Sequence, residues 1–166
     1  MGRSDQGADQ QRYAAIPRTA IFLRSERSEY LLLKGAAHKR LWAGKYNGLG
    51  GHVERGEDVL ASARRELLEE AGLTADLWLC GTVLVDAGET GICLFVFVGE
   101  EAHGEIRLSA EGAPEWIAFE RLAELPVVED LPVLLERIHK MRKGDPPFSA
   151  RSYYDEVGHL QVRFAT

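Results

Sequence analysis

The sequence predicts an α+β fold or a three-layer sandwich, with helices packed against a mixed central sheet. Short runs rich in Ile, Leu, Val and Tyr recur along the chain, as strands do. Two longer segments instead space their apolar residues three and four apart, as amphipathic helices do. The two kinds of segment are mixed without a regular βαβ alternation. A length of 166 residues, 45% of them hydrophobic and 28% charged, supports one domain with one full core. The chain shows no internal repeat and no second domain. The polar opening "MGRSDQGADQQ" has no period, so residues 1–15 are expected to be a disordered lead and residues 16–166 the domain.

In chain order, "RTAIFLRS" and "EYLLLKG" predict a strand pair over Arg18–Arg24 and Tyr30–Lys34. The loop "GAAHKRLWAGKYNGLGG" follows, heavy in glycine and basic residues. A helix then starts at Asp58, a residue type that caps the free N–H groups of a first turn, and Gly72 ends it. Its apolar face is Leu60, Ala63, Leu67 and Ala71. "LWLCGTVLVDA" and "GICLFVFVGE" predict two more strands, the second buried on both faces. "APEWIAFERLAEL" predicts a short strand and a short helix, and "EDLPVLLERIHKMRKG" a longer amphipathic helix with Pro132 in its first turn. "FSARSYYDEVGHLQVRF" reads as a closing hairpin that turns at Glu156–Gly158.

The formal net charge of −6 argues against a nucleic-acid polymer as partner, because phosphate backbones bind basic faces. A small anionic substrate stays compatible with it if a metal cation supplies positive charge. No apolar run reaches membrane-spanning length, and no signal pattern opens the chain. Cys80 and Cys93 lie in strand-like runs without metal-ligand spacing and are expected to be buried free thiols. These features predict a cytoplasmic protein, with monomer and homodimer both left open.

The segment "GGHVERGEDVLASARRELLEEAGL" carries the chemistry. At about 100° per residue, Glu66, Glu69 and Glu70 fall within an arc of roughly 100° on the predicted helix. A solvated acidic face is the ordinary reading of such a run. Two features favour a site instead. Glu66 and Glu70 form a like-charge pair one turn apart, which costs about 0.3 kcal/mol without a compensating cation. Gly50 and Gly51 precede the helix, where their backbone can approach a ligand closely. Clustered carboxylates beside a backbone carbonyl make a hard-oxygen site suited to Mg²⁺ or Mn²⁺.

Gly51, Glu57 and the run Arg65-Glu66-Leu67-Leu68-Glu69-Glu70-Ala71-Gly72-Leu73 match every specified position of the Nudix box, G-x5-E-x7-R-E-U-x-E-E-x-G-U. At ordinary residue frequencies such a match arises by chance less than about once in ten million starts. The chain therefore resembles the Nudix hydrolases, and within them the MutT-like enzymes that clear oxidised purine nucleoside triphosphates such as 8-oxo-dGTP. The resemblance implies a Nudix α/β/α sandwich and a metal-dependent hydrolysis of nucleoside diphosphates linked to another group. It implies that Glu66, Glu69 and Glu70 ligate Mg²⁺ (or Mn²⁺) with the carbonyl of Gly50, that Glu57 supports the metal shell and that Arg65 orients a helix carboxylate. For the proton of the attacking water two acceptors stay open, Glu66 and Glu111; "SAEGAPEW" resembles an acidic loop of the mutator-type members.

For the substrate, "WAGKYNGLGGHVERGE" resembles the segment in which those members read the base through an asparagine, here Asn47. Asn both donates and accepts, so it can bond a purine edge, although Asn-Gly is also a favoured turn pair. "PVVEDLP" resembles a second base-reading segment, with Glu129 or Asp130 either reading the base or capping the next helix. Trp42 and Trp116 are candidates for stacking or for the core. His52 stands where many mutator-type members carry lysine, so a phosphate contact there becomes weaker or pH-dependent. Lys34, Lys39, Arg40 and Lys45 are nearby cations that could compensate or simply face solvent. A dinucleoside polyphosphate, a nucleotide sugar, an unmodified triphosphate and a non-catalytic nucleotide-sensing role are the alternatives.

Overall fold

The computed structural model describes residues 12–166. Most of the polar lead, residues 1–11, lies outside the described residues. The lead does not run to residue 15 as expected, because strand β1 already begins at Ala14 and pairs Ala14 with Thr90 and Ala15 with Gly91. The strands are β1 (Ala14–Arg24), β2 (Glu29–Gly35), β3 (Tyr46–Asn47), β4 (Leu73–Val85), β5 (Thr90–Gly104), β6 (Gly112–Ala118), β7 (Phe148–Tyr154) and β8 (Leu160–Phe164). The helices are α1 (Val59–Ala71) and α2 (Leu131–His139), with a 3₁₀ turn over Phe119–Glu124.

All eight strands join one mixed sheet in the order β3-β2-β1-β5-β4-β7-β8, with β6 along the other edge of β2. β1 pairs parallel with β5 and β4 parallel with β7, whereas the remaining pairs are antiparallel. Successive side chains of a strand point to opposite faces, and the core divides accordingly. Ile21, Leu23, Leu31, Leu33 and Phe97 pack with Ala63, Leu67 and Ala71 of α1. The intervening Phe22, Tyr30, Leu32, Val96 and Val98 pack with Leu131, Leu134, Leu135 and Ile138 of α2. The helices thus cover opposite faces, giving the α/β/α layers. Each fully buried Leu adds roughly 1.5–3 kcal/mol, so Leu67 and Leu135 are principal anchors of the two helices.

Helix α1 has the expected ends: Asp58 Oδ1 accepts from the amides of Leu60 and Ala61, and Gly72 closes it in the left-handed conformation. Helix α2 is shorter than the predicted Glu129–Gly144 segment. Glu129 and Asp130 form a turn, and Asp130 makes no side-chain capping bond. At the other end Met141 turns into the core, where Arg24 Nη1 donates to its carbonyl at 3.1 Å, and Asp145 caps a following turn. Strand β5 is buried on both faces at its centre as expected, with Val96 and Val98 in the core under α2 and Phe97 in the core under α1, and its Glu100–Gly104 end runs on exposed. Both cysteines are free, Cys80 buried and Cys93 half-buried. No helix among the described residues is long and apolar enough to cross a membrane.

Candidate functional site

The loop before α1 runs antiparallel beside β1 and is fixed to it by backbone hydrogen bonds. Ile21 and Leu49 exchange bonds of 2.7 and 3.2 Å, and the Thr19 amide donates to the Gly51 carbonyl at 2.9 Å. Gly50 lies between them at φ +127°, and a Cβ there would meet the Thr19 carbonyl oxygen at 2.2 Å. The Gly50 amide turns the other way and donates to Glu70 Oε2 at 2.8 Å. Among the described residues no group donates to the Gly50 carbonyl. Gly51 leaves room for Glu66, whose Oε1 lies only 2.4 Å from where a Cβ would stand.

Arg65 is the hub of the helix. Its Nε and Nη2 grip the two oxygens of Glu57 at 2.7 and 3.0 Å, while Nη1 donates to Glu66 Oε1 at 2.9 Å and Glu69 Oε2 at 3.1 Å. Nη2 also reaches the His52 carbonyl at 3.1 Å. The bidentate grip holds the Glu57 carboxyl down to about 2, chiefly through its bonds to Arg65. Glu70, only 6% exposed, lies outside this clamp. Burial pushes its carboxyl up to about 7, against the lowering effect of the Gly50 amide; Glu66 and Glu111 push further in the same direction.

Those shifts test whether a dication suits the residues present. Among the described residues no three His, Cys, Asp or Glu side chains converge into a ready-made cage. The reason is visible: Arg65 holds one oxygen each of Glu66 and Glu69, and Glu69 is exposed. What remains is an all-oxygen donor set around a buried carboxylate destabilised by its neighbours. A hard dication fits that set and would relieve the repulsion.

Glu70 and Gly50 line a small cavity of about 70 Å³ together with Lys39, Trp42, Asn47 and Glu111. Glu111 forms an ion pair with Lys39, and its carbonyl accepts from the Ala36 amide at 3.0 Å, so the two loops are stitched together. Asn47, Gly48 and Gly50 also line an adjoining, mainly apolar cavity of about 180 Å³, which reaches Phe22, Leu94, Leu131 and Asp130. Asn47 Oδ1 accepts from the Gly48 amide at 2.8 Å, the local bond of a turn, while its side chain still borders both cavities. Asp130 is raised above the ordinary carboxylate range, mainly by burial. A third cavity of about 160 Å³ continues past Trp42, Val85 and Asp130 to Lys45 and the exposed Glu129.

Several expected residues are placed elsewhere. Arg40 is exposed and borders none of these cavities, and Lys34 lies over the Tyr46 ring, 5.4 Å from its centroid. Trp116 packs against the core cluster under α1 and borders a separate cavity of about 640 Å³ with Arg24 and His139, outside the cleft. His52 is exposed and receives the Arg18 guanidinium on Nε2. Arg18, Thr19 and Ser152, none of them signalled by any local pattern, also border the cleft. Their positions follow from the pairing of β1 with β5 and of β4 with β7, which a single sequence does not display.

Residues 15–138 match the NUDIX domain family. The chain is 38% identical over 94 residues to an oxidized purine nucleoside triphosphate hydrolase of Danio rerio, an alignment spanning 55% of this chain and 60% of that protein. To the protein of the same description from Mus musculus it is 31% identical over 113 residues, spanning 64% of this chain and 72% of the relative. Among solved structures, a mutator MutT protein from Bacillus halodurans superposes with a TM-score of 0.75 at 25% identity, covering 90% of this chain and 97% of that one. The fold, the intact box and these likenesses agree: the chain belongs to the Nudix family.

Proposed function

We propose that this Nudix protein is a Mg²⁺- or Mn²⁺-dependent pyrophosphohydrolase of oxidised purine nucleoside triphosphates, converting 8-oxo-dGTP and its kind to monophosphate and pyrophosphate. One observation carries the reading: the cavity that holds Glu70, Gly50 and Glu111 adjoins an apolar cavity of base-accommodating character through Asn47 and Gly48. Phosphates beside the acids and a base beside Asn47 and Asp130 would be the two ends of one ligand. The two relatives described as oxidized purine nucleoside triphosphate hydrolases support the substrate class.

In this reading Glu66, Glu69, Glu70 and the Gly50 carbonyl hold the cation. When bound, the cation offsets the repulsion between phosphates and carboxylates and acidifies the attacking water. Arg65 fixes the orientations of Glu66 and Glu69 and ties them to Glu57. Either Glu66 or Glu111 takes the water's proton. Glu111→Gln decides between them: near-native turnover at saturating metal assigns the proton to Glu66. Lys39, paired with Glu111, brings a cation to the phosphate side, and Arg18, held at His52, borders the adjoining cavity. The free thiols suit a reducing compartment, and we place the protein in the cytoplasm.

The test is pyrophosphate and phosphate release from a panel of oxidised and undamaged nucleoside triphosphates, a dinucleoside polyphosphate and a nucleotide sugar, with and without Mg²⁺. Preferred hydrolysis of oxidised purine triphosphates is expected. Preference for another member of the panel would move the substrate, and no hydrolysis of any would favour the nucleotide-sensing role.

A further inference from the structure

Among the described residues Trp42 alone borders all three cavities of the cleft: the one of about 70 Å³ at Glu70 and Gly50, the apolar one of about 180 Å³, and the one of about 160 Å³ beyond Asp130. Each is smaller than the roughly 300 Å³ at which small-molecule sites begin. They are compartments of one cleft, and a ligand that spans them lies against Trp42.

The backbone of Trp42 is held in an unfavourable state. It sits at φ +60°, in the left-handed region that bulky residues rarely enter. Hydrogen bonds around it keep it there. The Trp42 carbonyl accepts from the Lys45 amide at 3.0 Å, while Gly35 accepts from the Gly44 amide at 2.9 Å and donates to the Lys45 carbonyl at 3.0 Å. Core packing does not offset the strain, because Trp42 is 46% exposed and belongs to neither core cluster. The other two tryptophans, Trp78 and Trp116, do pack against the core. Strain of this kind gathers at ligand clamps. Here it falls on a half-exposed aromatic residue where the compartments meet.

We infer that Trp42 is a substrate-binding residue whose indole stacks on the base of the nucleotide. The inference rests on the function proposed above. A base in the apolar cavity has Phe22, Leu94, Leu131 and Leu134 on the side of the sheet and α2, and Trp42 on the side of the loop. Stacking holds a base by its face, and every base has one. Trp42 therefore grips oxidised and undamaged purines alike, and the choice between them is left to polar groups at the base edge.

The test compares wild type, Trp42→Gly and Trp42→Phe on 8-oxo-dGTP and dGTP, with inorganic triphosphate as a competitive inhibitor that has no base. In Trp42→Gly, kcat/KM is expected to fall about 10- to 100-fold on both nucleotides, mainly through KM, with their ratio kept. Inhibition by inorganic triphosphate should be unchanged. The Tm should be equal or higher, because glycine adopts φ +60° without strain. Trp42→Phe should keep most of the activity but lose the quenching of tryptophan emission that 8-oxo-dGMP causes in the wild type. Native kcat/KM in Trp42→Gly, a loss confined to 8-oxo-dGTP, or an equal loss of triphosphate inhibition overturns the inference and leaves the hydrolase reading intact. So does a lower Tm, which would make Trp42 a packing residue, or undiminished quenching in Trp42→Phe. A wild type that hydrolyses neither nucleotide overturns both.

Discussion

Arg18 lays its guanidinium against His52, with Nη2 2.8 Å and Nε 3.1 Å from the ring Nε2. Both guanidinium nitrogens can only donate, so the ring nitrogen is the acceptor of these contacts. A permanent cation from β1 thereby stands at the loop position where the family resemblance led one to look for lysine. Replacing Arg18 with Met is expected to raise KM for the triphosphate about tenfold with a smaller change in kcat, the pattern of lost ground-state binding. Steady-state kinetics in the presence of Mg²⁺ would show it, and an unchanged KM would remove Arg18 from phosphate binding.

The Glu70 carboxyl links metal to stability. Its folded pKa of about 7 lies above the ordinary 4.5, so the folded state holds a proton that the unfolded state has released. Metal-free protein should therefore be most stable below pH 4.5 with respect to this group, and lose that contribution as pH rises through 7. Glu70→Gln should remove the decline. In chelator, the gap between wild type and Glu70→Gln is expected to widen by roughly 3 kcal/mol from pH 5 to pH 8. Denaturant midpoints at the two values measure it, and parallel curves would contradict it. The same variant, and Glu69→Gln, should lose nearly all hydrolysis.

Arg65→Lys keeps the charge but loses the planar fork that holds both oxygens of Glu57 while reaching Glu66 and Glu69. The expected result is a folded protein that needs more metal for half-maximal activity and turns over about 10- to 100-fold more slowly. A Mg²⁺ titration of the rate, with circular dichroism as the control for folding, tests this.

Gly51→Ala probes Glu66 without touching its carboxylate. The backbone there tolerates alanine, but the added Cβ would stand 2.4 Å from Glu66 Oε1, so the carboxylate has to move. Activity is expected to fall about tenfold or more, since small displacements of catalytic groups are expensive, while Tm stays within a few degrees. Native activity would show that the placement of Glu66 is not critical.

The acidic helix was legible because its information is local. Asp58 and Gly72 mark its ends, and three- and four-residue spacing sorts Ala63, Leu67 and Ala71 from Glu66 and Glu69. The apolar runs "RTAIFLRS" and "EYLLLKG" likewise announced strands β1 and β2. The cleft was half legible. Asn47, Lys39, Glu111 and Asp130 do border it, but Arg18 and Ser152 come from strands whose neighbours lie far away in sequence. Arg40 and Trp116 lie outside it, Trp116 taking the core alternative, for the same reason: composition shows which side chains are available, and only the strand pairing shows where they face. Just past the early end of α2, Arg24 reaches the Met141 carbonyl, a contact between residues 117 positions apart that no local pattern displays.

The parallel pairing of β1 with β5 has a consequence for how the molecule is made. Ala14 meets Thr90 across nearly half the chain, a pairing that repays its closure entropy late in folding. Gly50, Glu66, Glu69 and Glu70, by contrast, belong to one continuous segment joined by a short loop. A refolding or nascent chain is therefore expected to assemble its acidic pole first. The chamber of Phe22, Asn47, Leu94, Asp130 and Ser152, drawn from five separate strands and turns, closes only when the last strands dock. Cation affinity should return early in refolding and nucleotide discrimination last.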